Sequence, residues 1–194
     1  MLIDAIKPGI EKLQKIIDKA GLDDILTTEL ENQIVLMLNE SINDLETMFR
    51  MQDLINSGAT VTIVTDGACK GNPGPGAAGA MLYLDDQTTG VTQFLPETTN
   101  NQAEYTAVLI GLGRAISAGM RNVIVHTDSQ LVEKQIKGEY KVKDKKLIGP
   151  YNIAIKLIKE LDSFEIIHVG REGVQAAHDL CEETLEKHLK GDTE

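Results

Sequence analysis

The chain has 194 residues, of which 42% are hydrophobic, enough for one ordinary core-forming domain plus an appendage. Its formal net charge of -11 argues against a protein that coats DNA or RNA non-specifically, because a field of that sign repels nucleic acid. The two cysteines, Cys69 and Cys181, are too few for a disulfide framework and lack zinc-site spacing. With no apolar run of roughly 18 residues, the sequence predicts a cytoplasmic protein without a membrane span.

The N-terminal part of the sequence predicts helices only. Residues 2–20 place apolar side chains at intervals of three and four, and a second amphipathic pattern continues from about residue 24 to residue 57. Residues 1–57 hold 5 Lys/Arg against 11 Asp/Glu, a net charge of -6. Because a helical pair of this size cannot bury both faces alone, we expect it to pack or to form a homodimer. A module that recruits a partner or substrate is the alternative.

After residue 58 the pattern changes to that of an α/β domain, over residues 58–194. Strands alternate with helical patterns in the order βββαβααβα, which is typical of a mixed five-stranded sheet with helices packed against it. The predicted strands are TVTIVTDG (60–67), AAGAMLYL (77–84), GVTQFLPE (90–97), NVIVHTD (122–128) and FEIIHVG (164–170). The predicted helices run over about 101–118, from 129, over about 144–160 and over about 174–189.

Acidic residues follow the predicted strands in a pattern that indicates a site. Asp66 and Asp128 stand at the ends of two strands, where open sheets place their ligands. Glu104 stands in the predicted first turn of a helix, directly after Asn100 and Asn101. Taken singly, such an acid is more often a helix cap or dipole partner, so the pattern gains meaning only from its combination.

Two further segments carry polar residues that can take part in chemistry. HVGREGVQAAHDL supplies His168, Arg171, His178 and Asp179 near the end of the chain. Residues 133–146, EKQIKGEYKVKDKK, concentrate six lysines. Such a charge run is usually a solvated helix face, and it becomes a phosphate-binding surface only beside a site that handles phosphate.

Three motifs, TDGACKGNPGPG, TNNQAEY and HTDSQLV…IKGEYKVK, resemble the type 1 ribonuclease H family over about residues 60–190. The resemblance implies a ribonuclease H-like fold and cleavage of the RNA strand of an RNA–DNA hybrid. Two Mg²⁺ or Mn²⁺ ions would be held, and 3′-hydroxyl and 5′-phosphate ends produced. It makes Asp66, Glu104 and Asp128 the metal-binding carboxylates, with Asp66 bridging. It gives His168 a part in proton movement or product release; the alternative is a strand-end histidine bonded to backbone.

The resemblance also implies which residues contact the hybrid. Selection of RNA requires contacts with the 2′-hydroxyl, and the family makes them from the glycine-rich turn and the Asn-Asn pair. The predicted substrate-binding residues are Cys69, Asn72, Asn100, Asn101, Gln102, Ser129 beside Thr127, and Arg171, with Lys134 on phosphates of the DNA strand. The chain contains no tryptophan, so it is similar to the subgroup that lacks the basic protrusion. Its affinity for the hybrid should then be lower and more dependent on salt.

The fourth metal ligand is where this sequence departs from the family pattern. Alignment of Ala177, Leu180 and Cys181 with the family's last helix puts His178 at the position of the usual acid. Helical phase also turns His178 towards the buried stripe and Asp179 towards solvent, although a one-residue shift would bring Asp179 in. Imidazole is a softer donor without charge, which predicts weaker Mg²⁺ binding and a relative gain with Mn²⁺. A second departure is Val174, where the family often has an asparagine.

Two other functions remain open at the level of sequence. The first is a nucleic-acid-binding module with a degenerate site, which His178 and Val174 favour and the acidic trio argues against. The second is another nuclease on the same scaffold, such as a DNA-junction resolvase, against which TNNQAEY and GNPGPG favour hybrid cleavage.

Overall fold

The structure is a computed structural model that describes residue 47 and residues 49–191. The chain divides into two compact units, Met1–Leu54 and Ile55–Glu194. In the first unit the described residues are helical. The patterns predicted over residues 2–46 lie outside the described residues, so the role of residues 1–57 in packing or homodimer formation stays a prediction.

The described part of the second unit contains five strands and four α-helices in the predicted order βββαβααβα. Among the described helices, we find none whose length and apolar character would suit it to cross a membrane. The elements are β1 (Thr60–Cys69), β2 (Gly74–Leu84), β3 (Gln87–Thr98), α1 (Asn100–Ser117), β4 (Asn122–Thr127), α2 (Gln130–Ile136), α3 (Lys145–Ile158), β5 (Ser163–His168), a 3₁₀ turn (Arg171–Val174) and α4 (Gln175–Gly191).

The five strands form one mixed sheet in the order β3-β2-β1-β4-β5. β1 pairs antiparallel with β2 and parallel with β4, β2 pairs antiparallel with β3, and β4 pairs parallel with β5. The predicted sheet is therefore confirmed, with β1 at its centre. Neighbouring β1 residues point to opposite faces: Ile63 lies under α1, whereas Val64 packs with Ala177 of α4. Helices cover both faces, so the central strand is buried almost throughout.

β1 continues past the point where the sequence predicted its end. The parallel ladder with β4 stops at the pair Thr65–Thr127. The antiparallel ladder with β2 goes on through the pair Asp66–Gly79 as far as Cys69. The prediction that Asp66 ends a strand is therefore wrong, because β2 supplies hydrogen-bonding partners after β4 has left the ladder. Asp66 lies inside a paired strand, which restricts its backbone more than a strand end would.

Helix α1 lies very close to the sheet at Gly111. A Cβ atom at this position would be 2.7 Å from Cγ2 of Ile63 and 3.1 Å from Cβ of Ala80. Ile63 and Ala80 are both fully buried, so neither can move aside freely. The separation of α1 from the sheet thus depends on the missing side chain.

The two glycines of α1 provide a matched test of this close packing. Both Gly111→Ala and Gly113→Ala should gain about 0.5–1 kcal/mol of helix propensity. A Cβ at Gly113 meets nothing within 4 Å, so Gly113→Ala should raise the free energy of unfolding. Gly111→Ala should lower it by about 1–3 kcal/mol through overpacking. Urea denaturation in EDTA measures both, and equal effects of the two substitutions would refute the close-packing interpretation.

Candidate active site

The parallel register of β1 and β4 brings two carboxylates to one place. Thr65 pairs with Thr127, so Asp66 and Asp128 follow the last pair of the ladder side by side. Glu104 lies on α1, which packs on the sheet, and its side chain reaches the two aspartates. One side-chain oxygen from each of the three acids lies within 4.8 Å of the others. We call Asp66, Glu104 and Asp128 the acidic trio.

Glu104 does not lie in the first turn of its helix, contrary to the sequence prediction. α1 begins at Asn100, with Thr99 as its N-cap, and its first turn holds no acid. The helix starts earlier than predicted because Thr99 and Gln102 form a capping box. Glu104 therefore falls in the second turn. The role of helix cap is taken by Thr99, so capping does not explain the acid.

The acidic trio is electrostatically unfavourable in the absence of a cation. Burial, followed by the charges of Asp66 and Asp128, raises the pKa of Glu104 to about 9. The hydrogen bond from the Gly67 backbone and the charge of Arg171 act in the opposite direction and do not offset the rise. Among the described residues, Oε2 of Glu104 and Oδ1 of Asp128 are buried without a hydrogen-bond partner. Unpaired carboxylate oxygens are the hard donors that Mg²⁺ and Mn²⁺ prefer, so the trio fits a divalent cation.

Gly67 allows β1 and α1 to approach each other beside the trio. A Cβ atom at this residue would lie 2.3 Å from the carbonyl carbon of Ala103 and 2.3 Å from the backbone nitrogen of Glu104. No side chain fits at that distance. The approach lets the backbone N–H of Gly67 donate to the Glu104 carboxylate, which holds the acid towards Asp66.

Arg171, which was predicted to bind substrate, lies among the acids. Its Nη1 donates to Oδ1 of Asp66 at 2.7 Å and to Oδ2 of Asp128 at 2.8 Å. Its Nη2 contacts Nδ1 of His178. Sequence reasoning missed this arrangement. The available signal was a permanently charged side chain seven residues before His178, on the loop that leads from the sheet to α4.

His178, and not Asp179, faces the trio. Nδ1 of His178 is 3.0 Å from Oδ2 of Asp66, and the side chain is 25% exposed. Asp179 is exposed and accepts a hydrogen bond from Nε2 of Gln175 at 2.7 Å. The predicted helical phase thus gives the observed placement, while the role of His178 as a ligand stays a prediction.

Packing against β2 sets the rotation of α4. Ala177 and Cys181 are fully buried and rest on Gly79. A Cβ atom at Gly79 would be 2.7 Å from the carbonyl oxygen of Ala177 and 2.9 Å from Sγ of Cys181. The Cys181 thiol also donates to the backbone oxygen of Asp66 at 3.2 Å. Burial raises the pKa of this thiol, which keeps its proton for the hydrogen bond.

His168 lies at the exposed end of β5, beside the trio. Its Nε2 is 3.2 Å from the backbone oxygen of Asp128. This is the backbone contact of the simpler alternative for this residue, and it leaves the side chain open to solvent. The structure thus brings His168 next to Asp128 without joining it to a carboxylate.

The residues predicted to bind substrate gather around the start of α1. Oδ1 of Asn72 accepts a hydrogen bond from the backbone N–H of Asn100 at 3.3 Å, which ties the glycine-rich turn to the helix. Asn101 is exposed beside it. Oε1 of Gln102 accepts from the backbone N–H of Thr99 at 3.2 Å, so Gln102 also serves the helix cap.

Three other predicted residues lie on neighbouring elements. Ser129 is the N-cap of α2, and its Oγ accepts from the backbone N–H of Val132 at 3.4 Å. Cys69 is half-buried at the end of β1, and burial raises the pKa of its thiol. Lys134 is half-buried, and its Nζ lies 5.0 Å from the ring centroid of Tyr140. Ser129 and Lys134 thus lie on the segment that follows Asp128, and Cys69 lies on the strand that carries Asp66.

Comparisons with known proteins agree with this fold. A family model described as reverse transcriptase-like matches residues 64–184. Ribonuclease HI of Halobacterium salinarum is 36% identical over 133 residues, which cover 66% of this chain and 66% of that protein. Ribonuclease HI of Caulobacter vibrioides is 47% identical over 78 residues, 39% of this chain and 50% of that protein. The chain thus spans about two thirds of the first relative and half of the second.

Solved structures give the same result. The crystal structure of RNase H1 from Halobacterium salinarum has a TM-score of 0.64 and 35% identity, covering 66% of this chain and 98% of that one. LC11-RNase H1 in complex with an RNA/DNA hybrid has a TM-score of 0.63 and 31% identity, covering 66% and 99%. The chain belongs to the type 1 ribonuclease H family, as the three motifs predicted.

The raised pKa of Glu104 predicts how stability depends on pH in the metal-free protein. Between its ordinary value of 4.5 and about 9, Glu104 keeps its proton in the folded state and loses it in the unfolded state. The free energy of unfolding should therefore fall as the pH rises through this window. Glu104→Gln removes the titrating group, so in EDTA its Tm should exceed that of the parent by a margin that grows from about pH 5 to about pH 9.

The exposed Glu97 of β3 provides the control. Glu97→Gln makes the same chemical change away from the trio and should leave the pH dependence of the parent Tm in place. A margin for Glu104→Gln that stays constant across the pH range would contradict the account of the trio given above.

Proposed function

We propose that this protein cleaves the RNA strand of RNA–DNA hybrids by metal-dependent phosphodiester hydrolysis, leaving 3′-hydroxyl and 5′-phosphate ends. The observation that carries the proposal is the convergence of three acids, two of them buried, within 4.8 Å. No hydrophobic core needs such a cluster, because it raises the pKa of Glu104 and leaves carboxylate oxygens unpaired. The ribonuclease HI relatives, and a similar structure that holds an RNA/DNA hybrid, point to the same substrate.

The acidic trio would hold two Mg²⁺ or Mn²⁺ ions, with His178 as a fourth ligand. When bound, such a pair lowers the pKa of an attacking water and stabilises the departing 3′-oxygen. Asp66 is suited to bridge the pair, since one of its oxygens faces Asp128 through Arg171 and the other faces His178. Its position inside a paired strand restricts the backbone beneath these contacts.

Other residues of this chain would bind and orient the hybrid. The Asn72–Asn100 contact sets the glycine-rich turn against α1, so that Asn101 and Cys69 can meet the 2′-hydroxyls of the RNA strand. Lys134 would meet a phosphate of the DNA strand. Lys137 forms an ion pair with Glu133 instead, in which its Nζ lies 2.6 Å from Oε1 of Glu133. His168, exposed beside Asp128, would transfer a proton at its ring nitrogen near the departing group.

We also place the protein in the cytoplasm. Cys69 and Cys181 are free thiols, which agrees with a reducing compartment. The alternative of an inactive binding module retains one favourable observation, namely that His178 replaces a carboxylate and removes one negative charge from the cluster.

Cleavage assays on labelled RNA–DNA hybrid, duplex RNA and duplex DNA separate the candidate functions. With Mg²⁺ or Mn²⁺, the parent should cut only the RNA strand of the hybrid, and EDTA should abolish the reaction. Asp128→Asn should lose cleavage while still binding hybrid, because the amide removes a charged metal ligand. Binding without cleavage by the parent would favour the inactive module, and cleavage of duplex DNA would favour the other nuclease.

The imidazole at residue 178 predicts an unusual metal preference. His178→Asp adds a hard, charged donor beside Asp66, so the ratio of Mg²⁺-supported to Mn²⁺-supported activity should rise. We expect a rise of about tenfold, equal to about 1.4 kcal/mol of differential binding. Titration of hybrid cleavage against each metal measures the ratio. Asp179→Asn, on the exposed side of α4, should leave it unchanged, and an unchanged ratio for His178→Asp would refute the ligand assignment.

A further inference from the structure

The guanidinium of Arg171 contacts two members of the acidic trio and His178. Nη1 donates to Asp66 and to Asp128 at 2.7 and 2.8 Å, and Nη2 contacts His178. The side chain of Asp66 is fully buried, whereas that of Arg171 is 50% exposed. Arg171 thus pairs with a buried carboxylate while half of its own side chain is open to solvent.

The positive charge of Arg171 reduces the repulsion among the three carboxylates. A guanidinium stays protonated in proteins and offers several donors in a fixed plane, so it can bridge two carboxylates at once. Its charge lowers the pKa of Glu104, although burial and the two aspartates outweigh that effect. Arg171 is therefore a partial counter-ion for the site.

Arg171 contacts three of the four side chains that are proposed here as metal ligands. One oxygen of Asp66, one oxygen of Asp128 and the ring nitrogen of His178 are all engaged by the guanidinium. Nδ1 of a neutral imidazole has one lone pair, so it cannot accept from Arg171 and bind a metal together. Two positive groups also repel strongly at such short range. Arg171 and a metal ion therefore cannot occupy these atoms at the same time.

The backbone around Arg171 is anchored on both sides, so the side chain can move away from the acids while the turn stays in place. Val174 is fully buried against Val64 and Ala177, which anchors the end of the 3₁₀ turn. The backbone N–H of Val169 donates to the oxygen of Thr127 at 2.9 Å, which anchors its start. A Cβ atom at Gly170 meets nothing within 4 Å, so the space beside the turn is open.

We propose that Arg171 is a tethered counter-ion that occupies the acidic trio in the metal-free protein and is displaced into solvent when a divalent cation binds. The inference rests on the proposed function for the metal-binding role of the trio. Arg171 keeps the acids together in the absence of metal and lowers their apparent affinity for it. Once displaced, the guanidinium stands on the open side of the site, where it can pair with a phosphate of the substrate.

Metal binding without nucleic acid tests the proposal. Calorimetric titration of the metal-free full chain with Mn²⁺ and with Mg²⁺ should give binding about tenfold tighter for Arg171→Met than for the parent, because the competitor is gone. In EDTA the Tm of Arg171→Met should fall, on the order of 5 °C, since the acids lose their counter-ion. Saturating metal should then raise its Tm by more than it raises that of the parent.

Arg114 supplies the matched control. It is exposed on α1, and Arg114→Met removes the same formal charge away from the trio. Its metal affinity and its Tm in EDTA should equal those of the parent. An equal gain in affinity for both variants would show that net charge alone is responsible and would overturn the proposal.

Arg171→Lys keeps the test decisive should the methionine variant fail to fold in EDTA. A lysine retains the charge but cannot bridge both aspartates and reach His178, so metal should bind with an affinity between those of parent and methionine variant. Parental or weaker metal binding by the Arg171 variants would overturn the displacement and leave the proposed function in place. A parent that binds neither ion would overturn both.

Discussion

Mutual repulsion among three carboxylates is the constraint on which the rest of this structure depends. Asp66 and Asp128 are held side by side because β1 and β4 pair in parallel up to the residue before each. Glu104 is held against them because the missing side chain at Gly67 lets α1 approach β1. The sheet and α1 thus hold the carboxylates together despite their repulsion, which the Arg171 guanidinium offsets only in part. A cation is the chemical partner that makes such an arrangement favourable.

The sequence predicted the element order and the meeting of the acids, because both depend on local hydrophobic period and on the geometry of parallel strands. Helical phase likewise separated His178 from Asp179, since four buried positions define the inner side of α4. Two boundaries escaped prediction. β1 extends beyond Asp66 through pairing with β2, and α1 starts early through a capping box at Thr99. The first depends on a partner strand outside the window in which a pattern is read, whereas the capping box joins residues three apart and was a local signal that the prediction did not use.

Arg171 escaped prediction for a different reason. Its placement depends on the rotamer of a long side chain and on the field of acids from β1, β4 and α1, which no local period encodes. The turn that carries it is anchored by Val174, at the position where the family often has asparagine. Val174 is fully buried with Val64 and Ala177, and Val169 packs against the same cluster. Apolar packing therefore fixes this turn in a chain that lacks the asparagine often found there in the family.

The contact between Gly79 and α4 has a consequence for how such a site diversifies. α4 packs so close to β2 at Gly79 that no side chain fits between them. The same helix carries His178, which contacts Asp66. The spacing between the imidazole and Asp66 therefore depends on Gly79, the cross-strand partner of Asp66, whose lack of a side chain sets the position of α4. Substitutions in β2 offer a route by which ligand distances, and with them the choice among divalent ions, change while every coordinating side chain keeps its identity.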